Sequence, residues 1–99
     1  MNYIDQIALK IYGLVGGGVT PDPVEMRLYR IYALLALVRG DETSAEDVHD
    51  GWSVWRAETR PDHPSLVPFD QLPPEVQALD DPYVRAIRQV AGGSAGTDE

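Results

Sequence analysis

The chain has 99 residues, 16 acids against 8 bases, a formal net charge of −8 and no cysteine. That length holds one core and one domain, and the missing cysteines exclude disulfides, thiolate catalysis and Cys-based zinc sites. The acidic balance excludes a general nucleic-acid binder, which needs a basic face to displace counterions.

The first predicted helix is capped by Asn2 and runs to about Val15, with Ile4, Ile7, Ala8, Ile11 and Val15 on one face. Gly16-Gly17-Gly18 ends it, since each glycine costs a helix about 1 kcal/mol relative to Ala. Asp22 as cap and Pro23 at the first helical position open the second helix, which reaches about Arg39. Val24, Leu28, Ile31, Leu35 and Val38 form its stripe, widened by Ala33, Leu34 and Leu37, so it is expected at the centre of a bundle. Gly40 is the expected stop.

Thr43 and Glu46 form a capping-box pattern for a third helix to about Thr59, with Ala45, Val48, Trp52 and Trp55 on one face. Five acids crowd Asp41 to Asp50, partly where a helix dipole favours them. From Arg60 to Pro74 five prolines forbid a long helix, and Leu66, Val67, Phe69 and Leu72 predict a packed, extended crossing loop. A short helix over 74–79 follows. Asp81-Pro82 repeats the device of Asp22-Pro23 and opens a last helix with Tyr83, Ala86, Ile87 and Val90 inward. Residues 92–99 read as a disordered tail after a single helical domain over 1–91. No period-two pattern appears, so the fold class is all-α: a small bundle of about four helices with a Pro-rich crossing loop.

Catalytic signatures are absent. His49 and His63 lack metal-ligand spacing, the serines lack a nucleophile elbow, and the glycine run lacks the Lys-Ser/Thr of a phosphate loop. Neither an enzyme nor a metal or cofactor is therefore expected. Asp62-His63-Pro64 reads as a capped turn in which His63 donates to a loop carbonyl. The aromatics carry more. Trp52, Trp55, Tyr29, Tyr32, Phe69 and Tyr83, with Arg27, Arg30 and Arg56, could stack a flat ligand and pair with a phosphate, although aromatics at helical spacing are also what a core requires.

The stretch Val48-His49-Asp50-Gly51-Trp52, followed by His63-Pro64-Ser65-Leu66-Val67-Pro68-Phe69-Asp70-Gln71-Leu72-Pro73, resembles the ryanodine-receptor repeat domain. That family carries a helical His-x-x-Trp and then His-Pro-Cys-Leu-Val-Pro-Tyr-x-x-Leu-Pro; Ser65 stands for the Cys and Phe69 for the Tyr. The Gly-Trp-x-Tyr-Gly loop of the family is missing between Trp52 and His63. The chain also looks like small actinobacterial and phage proteins. The resemblance implies a non-enzymatic domain binding a nucleotide-derived signal, as a sensor or a phage sequestering protein in bacterial immunity. Trp52, Trp55, Arg56, His49, His63, Phe69 and Arg30 are the expected ligand-binding residues.

The alternative is a protein-interaction or homo-oligomerisation module without ligand, using the Tyr29/Tyr32 or Trp face. The N-terminus lacks a signal-peptide pattern, and the longest hydrophobic run, 31–38, falls short of the ~20 residues that span a bilayer. The expected location is the cytoplasm, bacterial or that of a phage-infected host, with no membrane or nucleic-acid partner.

Overall fold

Four long helices enclose one core: α1 (Tyr3–Leu14), α2 (Pro23–Val38), α3 (Ala45–Ala57) and, after the one-turn α4 (Pro74–Gln77), α5 (Asp81–Gly96). They come from a computed structural model that describes residues 1–96. Among the described residues there is no strand, so the class is all-α. None of these helices is long and apolar enough to cross a membrane.

Local chemistry sets the helix ends. The Asn2 side chain accepts from the Asp5 backbone N–H at 2.8 Å, and Asp22 with Glu25 forms a complete capping box behind Pro23. Gly40, at φ +62°, provides the left-handed step that follows α2. The cap of α3 lies one residue later than the sequence predicts. Ser44 and Asp47 form the capping box, while Thr43 is fully buried and its hydroxyl donates to the Gly40 carbonyl at 2.8 Å. Thr43 is thus committed to the preceding turn, which Arg88 of α5 also grips by donating to the Thr43 carbonyl at 2.7 Å.

Asp81 differs from expectation too. It has helical backbone angles and continues a 3-10 turn, Ala78–Asp80, so α4 passes into α5 without the cap seen at Asp22. Helix α5 runs through Gly92 to Gly96; the rest of the expected tail, 97–99, lies outside the described residues.

The core is Ala8 and Ile11 of α1, Leu28, Tyr29, Tyr32, Ala33 and Ala36 of α2, Val48 of α3, and Val84, Ala86 and Ile87 of α5. The inward face of α2 is rotated from the predicted aliphatic stripe. Val24, Leu34, Leu37 and Val38 are about half exposed or more, whereas Tyr29 and Tyr32 turn in. Small Ala33 and Ala36 let neighbouring helices approach, and the tyrosines bury more apolar area than the valines they displace. Their rings form a file across three helices: Tyr12 against Tyr29 at 5.0 Å, Tyr29 against Tyr32 at 5.5 Å, and Tyr32 against Tyr83 at 5.6 Å. Gly51 is where α3 crosses α2: a Cβ there would stand 2.9 Å from Ile31 Cγ2.

The Pro-rich segment is a packed loop that lies against α3. Leu72 is buried, and Gln77 of α4 donates its amide to the Phe69 and Leu72 carbonyls at 3.0 and 3.2 Å.

Candidate functional site

Between α2, α3 and the crossing loop lies a cleft of about 560 Å³, within the range that small-molecule sites occupy. Helix α2 contributes Glu25, Leu28, Tyr29 and Tyr32; α3 contributes His49, Trp52, Trp55 and Arg56. His63, Ser65 and Leu72 of the loop form the opposite wall, closed by Val76, Leu79 and Asp80 and by Tyr83 of α5.

Helical spacing explains the α3 wall. Positions 49, 52 and 56 recur at three and four residues and share a face, with 55 beside them. Trp55 is fixed by its indole N–H, which donates to the Val24 carbonyl at 2.8 Å in the first turn of α2. Arg56 lies over it, with the guanidinium carbon 4.3 Å from the Trp55 ring centre and 6.0 Å from that of Trp52. At the shorter distance the guanidinium is within cation–π reach of the Trp55 ring. Arg56 Nε is buried and has no hydrogen-bond partner, and Arg56 takes part in none of the ion pairs among the described residues.

The histidines hold the walls in place. His49 is buried, and its Nε2 donates to the Val67 carbonyl at 2.7 Å, because a carbonyl only accepts. Ser53 Oγ is 3.4 Å from the same nitrogen, but a protonated Nε2 cannot act as its base, so the pair lacks the arrangement of an activated nucleophile. The His49 ring stacks on Trp52 at 5.7 Å, and His63 meets Trp52 edge-on at 5.2 Å. His63 does not donate to a loop carbonyl as the sequence suggested: its Nδ1 accepts from the Ser65 backbone N–H at 3.1 Å. Among the described residues no three His, Asp or Glu side chains are grouped to hold a metal ion.

Of the seven expected ligand-binding residues, Trp52, Trp55, Arg56, His49 and His63 meet at the cleft. Arg30 does not; it points to α1, where Nε donates to Asp5 at 2.8 Å. Phe69 is also outside the lining and packs behind His49 with ring centres 6.1 Å apart. Glu25 and Asp80 were missed, although each lies in the turn of a helix boundary that the sequence marks. Burial of the Tyr29 and Tyr32 phenols, with Tyr83 adding to it, raises both and keeps them neutral.

The fold and cleft define a small all-α domain with a preformed, aromatic-lined recess of ligand size. By sequence, the chain belongs to the family described as a domain of unknown function (DUF7701), whose model matches residues 2–92. This corrects the resemblance to the ryanodine-receptor repeat. The shared Pro-rich string answers local needs here: prolines extend the loop, Val67 offers its carbonyl to His49, and Leu72 fills the core. Comparison with curated proteins and with solved structures finds no significant match.

Proposed function

We propose that this domain binds, without transforming it, a planar nucleotide-type small molecule in the cleft. The observation that carries this reading is Arg56, held over Trp55 and in no ion pair among the described residues, beside two indoles in a recess of about 560 Å³. A flat ring stacks on aromatic walls, and an anionic group pairs with the terminal N–H groups of the guanidinium. The net charge of −8 does not oppose this, because affinity for one small anion depends on the local cation. A cytoplasmic setting is part of the same reading, since nucleotides are abundant there.

The test is a titration of intrinsic Trp fluorescence and a thermal-shift series with purine and pyrimidine nucleotides. Quenching with a rise in Tm is expected, both weakened in Arg56→Met. No quenching and no shift at millimolar ligand overturns the reading.

A second reading, homo-oligomerisation, draws on Leu34, Leu37 and Val38, which lie exposed along α2. The tyrosines first expected to serve that role are buried within one chain. Light scattering that finds a strict monomer at high concentration removes this alternative.

A further inference from the structure

The cleft holds two unlike charges that the fold leaves apart. Among the described residues, the ion pairs are Arg27–Glu58, Arg30–Asp5 and Arg39–Asp47, and neither Arg56 nor Asp80 takes part. Glu25, the other acid of the lining, is already engaged: its carboxylate accepts from the Asp22 backbone N–H at 3.3 Å. The Asp80 carboxylate, on the turn between α4 and α5, has no such partner among the described residues, and the titratable groups near it are His49, Asp81 and Tyr32. Burial raises its carboxyl above the ordinary value of 3.8, Asp81 acts in the same direction, and His49 opposes them. An acceptor has been drawn partly out of water without a donor to replace it.

A carboxylate offers two acceptor oxygens side by side and no donor, so its complement is a pair of adjacent N–H groups. Among the common bases only guanine presents that pair, N1–H and N2–H, on one edge. Adenine and cytosine place an acceptor lone pair next to their donor, and uracil flanks its single N–H with two carbonyls; each sets lone pairs against the carboxylate. We propose, resting on the nucleotide-type reading above, that the cleft selects a guanine-type ring, with Asp80 receiving its N–H edge and Arg56 its anionic group. Asp80 is then the specificity-determining residue, and the indoles supply affinity that does not distinguish the bases.

The experiment titrates the full chain with GMP, IMP and AMP by calorimetry and Trp fluorescence. GMP is expected to bind at least tenfold more tightly than AMP, and IMP, which keeps N1–H and lacks the 2-amino group, falls between them. Asp80→Asn, checked for folding by circular dichroism, should reduce the GMP-to-AMP ratio to near unity. Equal binding of GMP and AMP by the unsubstituted protein overturns the guanine assignment while the small-molecule reading survives. A GMP preference that persists in Asp80→Asn overturns the role of Asp80. Failure of all three nucleotides to bind overturns the guanine assignment, and the nucleotide-type reading falls with it if the pyrimidine nucleotides fail as well.

Discussion

His49 and Val67 are joined by a 2.7 Å hydrogen bond from the imidazole Nε2 to the backbone carbonyl, which ties α3 to the crossing loop eighteen residues later. The same ring stacks on Trp52, so one side chain sets both the position of the loop and the orientation of an indole in the cleft. His49→Ala should destabilise the protein by about 2–4 kcal/mol, from an unpaired carbonyl and a cavity. Urea denaturation followed by far-ultraviolet circular dichroism measures it.

Asp80→Asn should have the opposite sign. A carboxyl whose value is raised on folding binds its proton more tightly in the folded state, so ionised Asp80 costs stability above its folded pKa. That cost fades as pH falls through the folded pKa toward the ordinary value of 3.8. The variant should therefore melt at a higher temperature than the natural chain at pH 7, with the gap closing in acid. Paired thermal melts across pH 3–7 check this. A gain in stability together with a loss of guanine preference marks a residue kept for binding.

The α3 cap gives a pH dependence of the other kind. Burial pushes the Asp47 carboxyl up, but the Ser44 backbone N–H, Arg39 and the Ser44 hydroxyl outweigh it and hold it below the ordinary value of 3.8. A depressed carboxyl contributes stability above its unfolded pKa, which is lost as pH falls through the folded one. Ser44→Ala should cost about 1 kcal/mol at neutral pH, and Asp47→Asn should flatten the loss of Tm on acidification.

Gly51→Val places methyl groups where a single Cβ already approaches Ile31 Cγ2 to 2.9 Å. Ile31 is branched at Cβ and yields poorly, so the helices must separate. A destabilisation of about 1–3 kcal/mol is expected, with altered Trp emission because Trp52 is the next residue on α3. Gly51→Ala should be milder, since the gain in helix propensity offsets part of the strain.

The helices were legible because their ends are written in short-range chemistry. Asn2, Asp22-Pro23 and Gly40 each act on their own backbone neighbours and need no tertiary context. Thr43 and Asp81 misled because the choice between adjacent caps was decided from a distance: Arg88 draws the Thr43 carbonyl into the α5 contact, and the turn after α4 leaves Asp81 helical. The rotation of α2 was hidden for a related reason. Hydropathy ranks Val24 and Val38 above tyrosine, whereas a ring with room beside Ala33 and Ala36 buries more surface. Trp52, Trp55 and Arg56 share the cleft lining because local spacing places them together on α3. Arg30 and Phe69 lie outside that lining, and nothing local says that Arg30 meets Asp5 or that Phe69 packs against His49. The place of Asp80 in the lining was hidden because an acid before another acid gives no local sign of the cavity it borders.

The file of tyrosine rings has a consequence for how the protein is made. Tyr12, Tyr29 and Tyr32 lie on the first two long helices, which can pack as a hairpin while the rest of the chain is still being synthesised, but Tyr83 arrives only with α5. Asp80, three residues earlier, arrives with it. The ring file and the lining of the recess are therefore both completed only when α5 is added to the helices that precede it.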